Sequence, residues 1–388
     1  MKSYLESKQK CDCTGCGACA LICPKKCIKM KEDKEGFLYP SINNKECIKC
    51  NKCINICINK IENNYQEETY AVYNKNNDER KNSTSGGIFP LLAKEIIKND
   101  GCVYGACYDE NMQVIHKKAR TLEECEKFKG SKYVRSNFEG IYKSIQKDLT
   151  EGKQVLFTGT PCESDGLRKF LNKEYENLLI CDIICHSNPS PKMFKKYISY
   201  LEKRYNSKVI NINFRDKTKS WHKPNIVVSF ENGKKVKDEM FYDLFSTGVI
   251  SRLSCYNCKY TSMKRNSDMT IGDFWGIEKI KPQIDDDKGI SVVIIHSKKG
   301  KKAFINIQKE VKFYKVATED SIKYNHNSPI KKPKKRDEIF ENIDEEKKLI
   351  YMMKKYFLLY KLKVSVSNII PIKIKNIIKA IVKNMKGK

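Results

Sequence analysis

The sequence is poor in arginine, tryptophan and histidine, and no apolar run in it is long. Nine of its 75 basic residues are arginine and 66 are lysine. Base-edge reading of nucleic acid leans on arginine and on Asn or Gln placed on a defined helix or ribbon. No such motif occurs, so the net charge of +28 reads as a lysine-rich solvated surface, and nucleic acid is not an expected partner. The heavy use of Lys, Asn and Ile is what an AT-rich genome produces and fits an AT-rich anaerobe. The uncharged apolar runs, such as residues 290–295, have the length of a strand, against the ~18–20 residues that a membrane span needs. The opening MKSYLESKQK lacks the apolar core of a signal peptide. A cytoplasmic location is expected, and there thiols stay reduced.

Cysteine is what the chain has in excess, with 18 in 388 residues. In a reducing compartment that number excludes a disulfide scaffold and leaves metal ligands, catalytic groups or buried small hydrophobes. Hydrophobic content of 40% suffices for a sizeable core, and the length implies two or three domains.

Ten of the 18 cysteines fall in residues 1–60, and they are periodic. Cys13, Cys16, Cys19 and Cys23, followed by Pro24, spell C-x2-C-x2-C-x3-C-P; Cys47, Cys50, Cys53 and Cys57 repeat that spacing 34 residues later. In this arrangement three thiolates of one loop hold one cubane, and the fourth, on a segment leading away, ligates the other. The first [4Fe–4S] cluster is therefore expected on Cys13, Cys16, Cys19 and Cys57, and the second on Cys47, Cys50, Cys53 and Cys23. Zinc also accepts four thiolates, but zinc ribbons pair two C-x2-C knuckles and have no use for the third and fourth cysteines at these intervals. Ile58 stands where the first copy has Pro24, a position that donates nothing to iron. Cys11 and Cys27 lie off-register and read as spare thiols. Gly15 to Ala20 matches G-x-G-x-x-A, but inside the cluster loop it is no dinucleotide fingerprint.

The asparagine-rich stretch 62–83 reads as a linker. From 84 to 330 strand-like and helix-like segments alternate. A helix is expected over 88–98 and strands over 102–107, 155–158 and 178–184. Thr121 with Glu124 marks a capping box, and Glu231-Asn-Gly-Lys234 marks a hairpin between 226–230 and 235–240. The fold class expected is α+β or α/β: a bacterial-ferredoxin-like dicluster module over 1–61, a mixed-sheet α/β domain over 84–330, and a lysine-rich helical tail over 331–388. In that tail Ile374, Ile377, Ile378, Ile381, Val382 and Met385 recur at helical spacing opposite Lys375, Lys379 and Lys383. Such a basic amphipathic helix packs on protein or touches the inner face of a membrane peripherally.

The other eight cysteines form two groups. Cys102, Cys107, Cys125 and Cys181 sit inside apolar or helical patterns, as buried small hydrophobes do. Cys162 and Cys185 each follow an expected strand, and Cys255 with Cys258 is a C-x2-C in a polar loop. Sites assemble at the carboxyl ends of strands in α/β sheets, so spacing leaves these four open between a third cluster and unliganded thiols.

With those residues in view the chain resembles the family of beta subunits of coenzyme F-420 hydrogenases and dehydrogenases, carrying an N-terminal two-cluster ferredoxin module. The resemblance rests on Ser83-Thr-Ser-Gly-Gly87, Gly130-Ser-Lys-Tyr-Val134, Gly159-Thr-Pro-Cys162, Cys185-His186, Asn213-Phe-Arg-Asp216, Cys255-Tyr-Asn-Cys258 and Gly272-Asp-Phe-Trp-Gly276, in order along most of the chain. It implies an FAD-binding flavoprotein in which Cys162, Cys185, Cys255 and Cys258 hold a third [4Fe–4S] cluster. Here Ser187 stands where the family reads Cys-His-Gly. The flavin contacts it implies are Ser85, Gly86 and Gly87 ahead of a helix, whose N–H groups suit phosphate. Gly130, Ser131, Lys132, Tyr133 and Arg215 join them, with Asp273 and Trp275 beside the ring. His186 and Lys132 are the candidate proton donors.

Flavin exchanges electrons in pairs as hydride or singly, and cubanes carry one at a time. The expected function is oxidoreduction between a ferredoxin-like carrier and a small-molecule or coenzyme substrate, deazaflavin or a substrate of a bacterial polysaccharide pathway. The alternative is a non-catalytic adaptor that hands electrons to a partner enzyme.

Overall fold

The computed structural model describes residues 3–58, 65–262 and 264–369. The N-terminal module has a two-stranded antiparallel sheet, β1 (Ile28–Glu32) with β2 (Leu38–Ile42), and short helices over Ala18–Leu21 and Lys52–Ile58.

An eight-stranded mixed sheet forms the centre of the fold. It is built from β3 (Glu68–Asn74), β4 (Cys102–Tyr108), β5 (Val114–Ala119), β6 (Val155–Gly159), β7 (Leu178–Ile183), β11 (Met269–Asp273), β12 (Ser291–Ile295) and β13 (Val311–Val316). Their order is β13-β3-β12-β11-β7-β6-β4-β5. Strands β4, β6, β7 and β11 run parallel. Strand β5 closes one edge antiparallel, and β12, β3 and β13 add antiparallel strands on the other side.

The central strands are apolar on both faces because helices cover both. Helix Phe89–Lys98, with Pro90 in its first turn, and helix Lys298–Ile307 pack Leu91, Leu92, Phe304 and Ile307 on one face. Helices Ile141–Thr150 and Pro161–Leu171 pack Tyr142, Ile145, Leu167 and Phe170 on the other. The expected capping box is present, Thr121 Oγ1 accepting from Glu124 N–H at 3.2 Å.

A second, three-stranded sheet joins β8 (Val209–Asp216), β9 (Asn225–Phe230) and β10 (Lys235–Lys237), with β9 in the middle. It holds the expected hairpin, with Gly233 in the left-handed region at its turn. The second arm of that hairpin ends at Lys237, because Met240–Ser246 is helical.

Two segments differ from expectation. Residues 68–74, read as linker, form β3 inside the main sheet, with Ala71 and Val72 fully buried. The β-forming Thr-Tyr-Ala-Val-Tyr was hidden by asparagines on either side. Asn76 then caps a helix over Asn77–Asn82, accepting from Asp78 and Glu79 N–H. The first part of the expected tail is core: Arg336 is 1% exposed and forms a double hydrogen bond with Glu35 at 2.6 and 3.0 Å, while Ile339, Phe340 and Ile343 are buried. A helix over Glu346–Ile369 follows. The amphipathic pattern at 374–385 lies outside the described residues.

Candidate iron–sulfur and flavin site

The cysteines come together in three groups. In the first, Gly15 and Gly17 both take φ of 74°, which folds the loop around its sulfurs. The Gly15 N–H donates to Cys13 Sγ at 3.3 Å. Burial pushes the Cys16 thiol up to about 11, and the charges of Cys13 and Cys57 add to this. Burial also raises Cys19, followed by Cys16, Cys13 and Cys57. Cys57, from the second copy of the motif, thus faces the first loop. The second group surrounds a cavity of ≈ 340 Å³ lined by Cys23, Cys47, Cys50 and Cys53. Here Cys23, from the first copy, faces Cys47 and Cys53.

The third group is drawn from distant parts of the chain. Cys162 opens helix Pro161–Leu171 after β6, Cys185 follows β7, and Cys255 lies in the turn Leu253–Asn257 with Cys258 next to it. Burial raises the Cys185 thiol well above its ordinary value, and Cys162, Cys255 and Cys258 raise it further. Cys255 is pushed up to about 12 by burial. Thiolates in such a place need a cation. Donors already point at the sulfurs: Arg135 Nη1 at 3.3 Å and Asn188 Nδ2 at 3.6 Å reach Cys162, and the Asn188 N–H reaches Cys255 at 3.3 Å. Donors of this kind stabilise thiolate ligands and tune a cluster's potential.

Sulfur spacing discriminates between metals. A single zinc with Zn–S near ~2.3 Å draws its four sulfurs to within about 3.8 Å of one another. Among the described residues, no three cysteine sulfurs lie within 4.8 Å of one another. The donor sets are all-thiol, as cubane clusters require.

Helix Pro161–Leu171 joins the first group to the third. A Cβ on Gly166 would stand 2.6 Å from Cys16 Cβ, so the helix lies directly against the first cluster loop. The Tyr142 and Tyr260 hydroxyls lie within electrostatic reach of both Cys16 and Cys162. Asp165 accepts from the Tyr260 hydroxyl, from Asn266 Nδ2 at 2.7 Å and from Lys169 Nζ at 3.1 Å; Lys169 also donates to Cys57 O at 3.1 Å. Arg252 clamps the module, donating to Cys13 O and Leu38 O at 2.8 and 2.9 Å.

The residues expected around a flavin divide. Arg215 Nη1 is 3.2 Å from Asp273 Oδ2, and its guanidinium lies 4.7 Å over the Trp275 ring. Arg215 Nε and Nη2 are buried without a well-formed hydrogen bond, and the Tyr133 hydroxyl is within their reach. Trp275 stacks on Trp221 at 5.2 Å, and Trp221 Nε1 donates to Asp273 Oδ1 at 2.9 Å. Tyr133 packs on Phe245, whose ring also meets His186 edge-on. His186 Nδ1 is 3.1 Å from His326 Nδ1, and its ring is buried against the backbone of Phe245 and Ser246. Burial pushes His326 down to about 4. Buried N–H groups without a well-formed hydrogen bond beside an aromatic wall fit a planar ligand bearing carbonyls or phosphate.

Other expected contacts are engaged within the fold. The Gly86 N–H donates to Ser291 Oγ at 2.9 Å and Ser85 Oγ donates to Ile290 O at 2.8 Å, so neither is free for phosphate. Gly87, at φ 78°, makes the turn that follows. Gly130 also turns, at φ 80°, and Ser131 Oγ lies 3.5 Å from Thr84 Oγ1. Lys132 Nζ donates to Lys127 O and Lys129 O at 2.8 and 2.7 Å, and burial lowers it to about 7.

Residues 12–61 match the family model of the 4Fe-4S dicluster domain, and residues 152–321 match the model of the C terminus of the coenzyme F420 hydrogenase/dehydrogenase beta subunit. The second match takes in Cys162, Cys185, Cys255 and Cys258 together with Arg215, Asp273 and Trp275. The chain is 22% identical to a subunit of the F(420)H(2) dehydrogenase of Methanosarcina mazei over 297 residues, 70% of this chain and 80% of that protein. A chain of the F420-reducing [NiFe] hydrogenase complex of Methanosarcina barkeri aligns over 74% of this chain and 91% of its own, at 18% identity and TM-score 0.43. The chain is an iron–sulfur electron-transfer protein related to the beta subunits of F420 hydrogenases and dehydrogenases.

Sequence reasoning missed Arg135, Asn188, Lys217 and His326. Arg135 directly follows the Gly130–Val134 word of the family resemblance, which was a usable signal. Lys217, two residues after Arg215, donates to Ser85 O at 2.7 Å and is lowered to about 7 by burial. His326 lies 140 residues from His186 in the chain, and no local pattern links them.

Proposed function

We propose that the chain is an iron–sulfur flavoenzyme that moves electrons between a ferredoxin-like one-electron carrier and a substrate that gives or takes hydride. The observation that carries this reading is the run of cysteine groups: the first and third are joined through Gly166 and Tyr142, and Cys185 of the third is followed by His186 on the aromatic wall.

Cys13, Cys16, Cys19 and Cys57 are assigned to the first cluster, Cys47, Cys50, Cys53 and Cys23 to the second, and Cys162, Cys185, Cys255 and Cys258 to a third. FAD would be held by Arg215, Asp273, Trp275 and Tyr133, with Lys217 offsetting phosphate charge. When bound it supplies exchange between paired and single electrons. The chain's own residues bind and orient. Asp273 fixes the Arg215 guanidinium, whose Nε and Nη2 have no well-formed hydrogen bond. The Trp221–Trp275 stack excludes water from that side. His186 holds a ring nitrogen in the same wall and is the candidate proton donor. The carrier is assigned to the side of the second cluster, whose Cys50 is exposed. Coenzyme F420, named in the relatives, and an oxidised or reduced substrate of a bacterial polysaccharide pathway are the two substrate candidates.

Peripheral membrane contact is assigned to the basic amphipathic pattern of residues 374–385, which lies outside the described residues. Among the described residues no helix is long and apolar enough to cross a membrane.

Anaerobically purified protein tests the reading. Three cubanes give about 12 irons per chain, and about 4 are lost when Cys255 and Cys258 are replaced by Ala. Flavin should be released on acid precipitation or rebound on adding FAD. Protein with full iron and no bindable flavin would refute the enzyme and leave the electron-transfer adaptor.

A further inference from the structure

A fifth thiol lies in the cavity of the second cysteine group. Cys27 is 4% exposed, and its Sγ is 3.4 Å from Cys23 Sγ. It lines the same cavity as Cys23, Cys47, Cys50 and Cys53 and is within electrostatic reach of Cys23 and Cys47. Backbone geometry fixes it there. Lys26, at φ 51°, closes a turn in which its N–H donates to Cys23 O at 3.1 Å. Cys27 O then accepts from Asn43 N–H at 2.8 Å, at the entry to the β1–β2 hairpin. The motif spacing has no use for this cysteine, since it falls outside both repeats. Cys11, the other off-register thiol, faces Gln9 Oε1 at 3.8 Å and Asp12 Oδ1 at 4.0 Å instead. The two are therefore not equivalent.

We propose that Cys27 is a reserve ligand of the second cluster, able to take the place of Cys23 on iron. The step is a ligand exchange. A bond from the Cys27 sulfur to iron forms as the one from Cys23 breaks, and the Cys27 thiol proton passes to Cys23 across the sulfur–sulfur contact. No electron is gained or lost, and no co-reactant is needed. Cys50 alone among the described cysteines is exposed, so the second cluster is the one that solvent reaches and the one that gains from a spare thiolate. The proposal rests on the dicluster assignment and on neither the third cluster nor the flavin.

The test is iron content and the electron paramagnetic resonance spectrum of the reduced full-length chain, prepared anaerobically. Wild-type iron checks the cluster assignment by itself, and Cys47→Ala gives the level reached when one cubane of about 4 irons is missing. Cys23→Ala should keep the wild-type iron with an altered second-cluster signal, and Cys23→Ala with Cys27→Ala should fall to the Cys47→Ala level. Cys23→Ala falling to that level by itself overturns the proposal. Cys27→Ala, which leaves every motif cysteine in place, gives an answer that does not depend on how Cys23→Ala folds. It should release one cubane's iron to a chelator about tenfold faster than wild type. Release at the wild-type rate also overturns the proposal.

Discussion

Gly166 sits in the middle of helix Pro161–Leu171, where alanine is ordinarily better by about 1 kcal/mol. Helix propensity by itself therefore expects Gly166→Ala to stabilise. The packing argues the opposite sign. The added Cβ would lie 2.6 Å from Cys16 Cβ, 2.8 Å from Tyr142 Oη and 3.3 Å from Cys16 Sγ. Carbon pairs are comfortable at ~3.5–4.0 Å, so one neighbour has to retreat by about 1 Å. Tyr142 cannot: it is fully buried, and its hydroxyl donates to Glu163 O at 2.8 Å. Cys16 gives way instead, and Cys16 is assigned to the first cluster. Overpacking costs ~1–3 kcal/mol, which outweighs the helix term and leaves a net loss of up to about 2 kcal/mol. At ~2–4 °C per kcal/mol the midpoint falls by a few degrees. The assay is thermal unfolding of anaerobic protein, following cluster absorbance and far-ultraviolet circular dichroism together. Cluster absorbance should be lost at a lower temperature than helicity, because the strain is delivered to a ligand. A midpoint raised by the helix term, with an unchanged first-cluster resonance signal, would refute the close approach of module and helix.

Arg336→Ala strands the Glu35 carboxylate, 7% exposed, without its cation; breaking a buried pair from one side costs about 3–5 kcal/mol. Urea unfolding should show that loss, with Glu35→Met in the same chain recovering part of it, and a cost near zero for the single variant would contradict the buried pair. Burial holds Lys217 at about 7 against an ordinary 10.5, so the folded chain binds fewer protons than the unfolded one between those values and this group's contribution to stability rises with pH there. A phosphate-bearing ligand pushes Lys217 back up, so FAD binding at pH 8 should take up a proton, seen by titration calorimetry in buffers of different ionisation enthalpy and lost in Lys217→Met. Uptake that survives the substitution assigns the proton elsewhere. Truncation after residue 369, which removes the amphipathic pattern at 374–385, should abolish sedimentation with anionic vesicles, where each nearby lysine contributes about 1 kcal/mol; unchanged sedimentation ends the membrane assignment.

Spacing was legible and burial was not. The two cysteine repeats predicted which sulfurs should meet, because ligand geometry is written in short intervals, and the fold places Cys57 with Cys13 and Cys23 with Cys47. Strands 102–108, 155–159 and 178–183 were legible because both faces are buried and the runs are continuously apolar. Strand Glu68–Asn74 was not: asparagines around it mask a short stretch that pairs with residues more than 200 positions away. Arg336 was hidden in a run of lysines, and its distant partners, the carboxylate of Glu35 301 residues away and the Ser251 carbonyl, distinguish it from a solvated cation.

Strand order explains why such scattered words come to one place. Strands β6, β7 and β11 are parallel, so their carboxyl ends lie on one edge of the sheet, the edge at which α/β sheets assemble sites. Cys162 follows β6, Cys185 follows β7, and Asp273 ends β11. Strand β12 is antiparallel to β11, which pairs its first residue, Ser291, with Asp273 at that same edge. The Ser291 hydroxyl accepts from the Gly86 N–H, bringing the Ser83–Gly87 word to the edge as well, and Lys217 ties Ser85 to the segment that carries Arg215. The antiparallel step from β11 to β12 thus sets residues near 85 beside residues near 273, with the third cysteine group next to both. Gly86 is the close contact in this arrangement, since a Cβ there would meet Val72 O at 2.4 Å and Ser291 N at 2.8 Å. Glycine at 86 is therefore required by the approach of two backbones, whatever ligand the edge holds, and Gly86→Ala should disturb Arg215 and Lys217 together rather than remove one contact.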